Sequence, residues 1–170
     1  MRRPRASLAI LFGGLALLGP ILAACGDKDD NTPAATSSAA PLPAPPAWAS
    51  AYIGKTQSDF QTSKDCQGAF DIVSARHTGT DPGVEVQGWA WLTQQNAAPD
   101  KIIFVGPSGP VIGAAEINMD RPDVPKAIDT IKTSKVGWHG VVKATDGKVL
   151  AFAVLPDQSI CQIGQKDIGA

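Results

Sequence analysis

Histidine is scarce in this chain: His77 and His139 are the only two in 170 residues. Neither sits in an H-E-x-x-H segment or beside other metal-ligand types at a useful spacing, so neither a metal site nor any other cofactor is expected. A G-x-S-x-G elbow is also missing. The run Gly-Pro-Ser-Gly-Pro at 106–110 has the wrong pattern and reads as a turn. Without a nucleophile for them to activate, both histidines are read as surface or satisfied side chains. No glycine-rich loop opens a helix to cradle a phosphate. Fifteen basic residues face sixteen acidic ones, with no basic stripe, which argues against a nucleic-acid partner. Asp71, Glu85, Glu116 and Asp120 could in principle act in pairs on a glycosidic bond, but no spacing selects a pair, and solvated strand-edge carboxylates are the default. The expectation is a protein that is not an enzyme, with an envelope hydrolase using a carboxylate pair as the less favoured reading.

What is present begins at the N-terminus. Arg2, Arg3 and Arg5 form a positive segment, an uncharged apolar stretch runs from Ala6 to Leu18, and Pro20 precedes small residues. This order is that of a secretory signal. A membrane span needs roughly 20 apolar residues, and Gly13, Gly14, Gly19 and Pro20 weaken that alternative. Leu22-Ala23-Ala24-Cys25-Gly26 resembles the lipobox of bacterial lipoproteins. The resemblance implies cleavage after residue 24, lipid on the Cys25 thiol, acylation of the new N-terminus and attachment to a membrane. Gly26 stands where lipoproteins retained at the inner membrane often carry Asp, so the outer membrane is favoured. Loss of the three arginines takes the formal net charge from −1 to −4.

From Gly26 to about Pro46 the chain is rich in Asp, Thr, Pro, Ala and Ser, with almost no large apolar residue. It reads as a flexible tether spanning about 25 Å r.m.s.. The expected organisation is therefore a signal at 1–24, a lipidated cysteine and tether at 25–47, and one folded domain at 48–170. With Cys25 lipidated, Cys66 and Cys161 remain. In an oxidising compartment an even pair is most simply a disulfide, with two buried thiols as the alternative.

The domain reads as short strands separated by turns. Strands are expected over 69–75, with Phe70 and Ile72 on one face, and over 84–93. In the latter, Val84, Val86, Ala90 and Leu92 face one way and Gln87, Trp89 and Trp91 the other. Further strands are expected over 101–105, 111–117, 137–144, 148–155 and 158–163, the 148–155 strand being buried on both faces. Asp81-Pro82-Gly83 is a turn, and Asp146-Gly147 a hairpin signal. Asp123 is the expected cap of a short helix over 124–133, with Pro125 in its first turn and Val124, Ile128 and Ile131 on one face. The whole predicts an all-β fold, an antiparallel β-sandwich or related small barrel with one short helix.

Gly88-Trp89-Ala90-Trp91, the turn between Val105 and Val111, Arg121-Pro122-Asp123-Val124 and Gly137-Trp138 together resemble a β-rich module of bacterial envelope proteins, similar to Ig-like accessory domains of exported proteins. The resemblance spans about 66–161, departs at 106–110 and in a longer 126–136 segment, and carries over no catalytic residue. Two motifs remain as candidates. Arg121 either contacts an anionic or hydroxylated ligand or ties down a loop beside Asp123, the structural role being favoured. Trp89, Trp91 and Trp138 either pack in the core or offer stacking surfaces for a sugar or a protein. Trp89 is assigned to the core, and Trp91 is left between the two. The functional expectation is a lipid-anchored envelope protein with a non-catalytic binding or structural domain, the membrane its first partner and an envelope protein or polysaccharide a further one. A carbohydrate- or peptidoglycan-binding module is the alternative.

Overall fold

The computed structural model describes residues 35–169. The expected signal, Cys25 and the start of the expected tether lie outside them. Seven strands form the body: β3 Cys66–His77, β4 Gly83–Leu92, β5 Lys101–Val105, β6 Val111–Asp120, β7 Lys135–Val142, β8 Lys148–Val154 and β9 Ile160–Asp167. Two short strands, β1 Thr36–Ser38 and β2 Thr62–Ser63, pair in parallel at the two edges. The sheet order is β1-β3-β4-β7-β6-β5-β8-β9-β2, and every pairing among the seven is antiparallel. The fold is all-β, and among the described residues no helix is long and apolar enough to cross a membrane.

The sheet curls until β3 and β9 meet, which makes it a small barrel. β3 carries register shifts at Phe70/Ile72 and Val73/Ala75, and the β8–β9 ladder shifts at Ala151/Phe152. Bulges of this kind bend a strand and increase its twist. The seam is tight. A Cβ on Gly68 would lie 2.8 Å from that of Ile163, and one on Gly164 would lie 2.7 Å from the Phe70 nitrogen. Cys66 and Cys161 are disulfide-bonded across it, with Cα atoms 6.1 Å apart. Lys166 Nζ donates to the Asp71 carbonyl at 2.7 Å, and Arg76 donates to the Ile168 carbonyl at 2.6 Å.

The inside-facing residues of β4 are those expected: Val84, Val86, Ala90 and Leu92 are buried in the main core. Trp138 is fully buried there against Phe70 and Phe104, with ring centroids 5.4–5.9 Å apart. Its ring lies on Gly88, where any side chain would collide with it. β8 is buried on both faces because the chain before β3 returns over the outside. A 3-10 turn at Ala47–Ala51, with Trp48, Tyr52 and Phe60, covers Ile103, Val105, Phe152 and Val154.

Several local expectations are corrected. The bulge after Phe70 rotates the strand, so Val73 rather than Ile72 joins Phe70 in the core. The helix is a single turn, α1 Val124–Ala127, because Ile128 is already extended (φ −127°, ψ 97°). Val124, Ile128 and Ile131 still cluster, but through a loop and not along a helix face. Asp123 makes no side-chain cap. Asp146-Gly147 is a turn with Gly147 at φ +83°, yet not a hairpin: β7 inserts between β4 and β6, and β8 lies beyond β5. A positive φ permits a tight turn without deciding which strands then pair. Part of the segment expected to be tether is folded. Residues 35–46 lie against the barrel: β1 extends β3, and Leu42 is buried in a notch at Gly83.

Candidate functional site

Arg121 is engaged on every side. Its Nε donates to Asp123 Oδ1 at 2.9 Å and its NH2 to Asp123 Oδ2 at 2.7 Å, a bidentate pair, while NH1 donates to Asp71 on β3. The guanidinium pKa is raised and that of Asp123 lowered, each chiefly by this shared hydrogen bonding. The Arg121 amide donates to the Ser134 carbonyl at 2.7 Å, and Ser134 Oγ to Asp120 Oδ1 at 2.9 Å. Planar two-point pairing gives fixed geometry, and here it pins the 121–134 segment to the bulged strand. The Asp123 side chain is 62% exposed, so Arg121 and its two carboxylates sit at the surface and not in a deep pocket.

That pinned segment explains the tryptophans. Trp89 and Trp91 do point away from the barrel interior, as the alternation requires, and Val124, Ile131 and Val136 close over them. Trp91 is buried and Trp89 half-buried. The second face of β4 is therefore a second core, and the pair forms no open platform. With Trp138 inside the barrel, the three tryptophans of the motifs are packing residues.

The two histidines meet on one carboxylate. His77 Nε2 lies 2.8 Å from Glu85 Oε1, and His139 Nε2 lies 2.8 Å from Glu85 Oε2. The other ring nitrogen of His77, Nδ1, faces the Ala40 carbonyl at 3.0 Å. A carbonyl oxygen and a carboxylate both accept, so both nitrogens are satisfied when His77 is the imidazolium. Its pKa is raised, first by the Ala40 carbonyl and then by Glu85, against burial. His77 thus clasps the 35–46 segment to β4. Both histidines are satisfied side chains, as read from the sequence. Their convergence was not foreseen, because nothing local in the chain says that β3, β4 and β7 lie side by side. No group of three or more His, Cys, Asp or Glu among the described residues is arranged to hold a metal ion.

The remaining candidate carboxylate also has a bond: Glu116 Oε1 accepts from Trp48 Nε1 at 2.7 Å. One open groove is mostly apolar. A groove of about 660 Å3 runs between Pro45 and Pro46, the loop at Ile53, and the outer face of β6 and β7 at Val111, Ile112 and Val141. Ile53, 43% exposed, is the one exposed large hydrophobic side chain among the described residues. Sequence reasoning missed this groove by assigning Pro45 and Pro46 to the tether. The one usable signal was Leu42, a lone large apolar residue in an otherwise polar stretch. No family model, curated protein or solved structure matches the chain.

Proposed function

We propose that the chain is an exported, lipid-anchored envelope protein, favouring the outer membrane, whose barrel domain works by contact and without turnover of a substrate. The observation that carries the reading is the Leu22-Ala23-Ala24-Cys25 motif at the end of an uncharged apolar run. Several acyl chains on one cysteine anchor a protein stably, where one binds only marginally. Contact rather than turnover is favoured by how the candidate acids are used. Asp71 holds Arg121, Glu85 holds both histidines, Glu116 holds Trp48, and Asp120 accepts from Ser134. Each of the four therefore has a structural partner that accounts for its place.

A sugar-stacking platform is disfavoured by the burial of Trp91. The anchoring test is Cys25→Ser followed by fractionation and mass spectrometry of the N-terminus. The expected result is loss of membrane attachment and of the acyl mass. A protein that stays membrane-bound with an unmodified, uncleaved N-terminus in both forms rules the reading out.

A further inference from the structure

The groove between the 35–46 segment and β6–β7 is the most apolar of the open surfaces described, and its chemistry restricts what it can hold. We propose that it takes one acyl chain of a bilayer phospholipid, with the anionic headgroup beside Lys143. The proposal rests on the lipoprotein reading for the source of the ligand, and on the groove alone for its chemical class.

The lining offers little to a ligand that needs many hydrogen bonds: its polar side chains are Lys143 and Ser50, whose hydroxyl already donates to the Ala47 carbonyl at 2.9 Å. Pro45, Pro46 and Pro110 have no N–H. The backbone groups around them are already engaged: Gly54 N–H donates to the Val111 carbonyl, Val111 N–H to that of Lys55, Ala49 N–H to that of Pro46, and Lys143 N–H to that of Ile112. An extended peptide added along this face would leave its own main chain unpaired, which is costly once water is excluded. The lining contains no aromatic ring, so neither a sugar nor a polyproline helix finds a stacking surface. An acyl chain has no polar group to satisfy and gains by burial alone. The volume lies within the range of small-molecule sites.

Lys143 is the one charged residue of the lining. Its ammonium pairs with Asp81 at 3.1 Å, with both side chains about half exposed. Such surface pairs are weak, so a phosphate can take Asp81's place. Reach supplies the source. Nine residues lie between Cys25 and Ala35, so the chain from one to the other spans at most about 35 Å. The segment that arrives from the anchor is the one that walls the groove, so an anchored domain keeps the groove within a few tens of ångströms of the bilayer.

The test uses the full-length protein in vesicles of phosphatidylglycerol and phosphatidylcholine in which one acyl chain carries a diazirine. Irradiation is expected to label residues 45–54, 110–112 or 141–143. Ile53→Asp, an exposed position at which folding is not at stake, should lower that labelling at least fivefold, and Lys143→Ala should abolish any preference for phosphatidylglycerol. A second arm offers dispersed short-chain phosphatidylglycerol bearing the same probe to the Cys25→Ser protein, where groove labelling should persist. Persistence there, with a natural Cys25 found to carry no lipid, removes the anchor as the source of the ligand and leaves the acyl site standing. Labelling outside the groove, labelling indifferent to Ile53→Asp, or no labelling in either arm overturns the acyl site itself.

Discussion

The barrel interior and the segment laid over its rim are held by opposite kinds of force. Inside, Trp138, Phe70 and Phe104 pack among aliphatic side chains, and the β3–β9 seam is closed by a covalent bond. Neither depends on protonation. On the rim, residues 35–46 are held by three parallel β1–β3 pairings, the Leu42 amide on the Asp81 carbonyl, one buried leucine and the His77 clasp. Local stability follows buried apolar contact and sheltered hydrogen bonding. The interior should therefore open only with global unfolding, and the rim well before it. One wall of the apolar groove belongs to the less stable region.

The comparison breaks most visibly at the disulfide. Replacing Cys66 and Cys161 by alanine releases a loop with a sequence separation of 95, which the chain-entropy account values at about 4–5 kcal/mol. Thermal unfolding should drop by on the order of 10–15 °C, with the pH response of the rim unchanged. Trp138→Ala comes next, at about 3–5 kcal/mol by urea denaturation, because a fully buried indole leaves a cavity that Gly88 cannot fill. Arg121→Ala should cost less, about 1 kcal/mol, since the site is partly exposed and solvent screens the pair. Its signature is exposure of Trp89 and Trp91, read as a red-shifted fluorescence. Arg121→Lys should not restore the blue emission, because an ammonium cannot make the two-point contact with Asp123.

The smallest effect sharpens the contrast. The folded pKa of His77 lies above its unfolded value, so the folded state binds the proton more tightly. The clasp's contribution is full below about pH 6.5, the unfolded value, and is lost as pH rises through the raised folded pKa. Protection of the amides at residues 36–42, taken relative to their intrinsic exchange rates at each pH, should fall over that window while that of β5 and β8 stays constant. Glu85, which His139 shares, faces the same ring and is the acid whose replacement should mimic the effect. His77→Gln should leave the protection factors at 36–42 independent of pH over the same window. An unchanged pH profile in that variant would mean that another group holds the rim.

Some of this was readable along the chain. Alternation in Gly83–Leu92 gave both faces of β4 correctly, since a strand's period is a property of its own backbone. The Cys66–Cys161 bond followed from counting once Cys25 was set aside. The structural reading of Arg121 is matched by its bonds to Asp123 and Asp71. The errors share one origin. Asp146-Gly147 signalled a turn, but strand pairing is set by which edges remain open after the rest of the sheet has formed. Ile72 was misplaced because a bulge is a feature of two strands in register, not of one sequence. Residues 35–46 read as tether because their composition is poor in apolar groups, while their docking depends on an edge, a notch at Gly83 and a carbonyl facing His77, all supplied by distant residues.

Local chemistry, then, decided the strand periods, the turns and the cysteine count, and it supports the export motif as a proposal, because each depends on neighbours along the chain. Tertiary structure alone decided that two histidines would share Glu85, that Trp91 would be covered, and that three prolines and an isoleucine would wall one groove. Those outcomes depend on sheet order and closure, and no short stretch of sequence contains either.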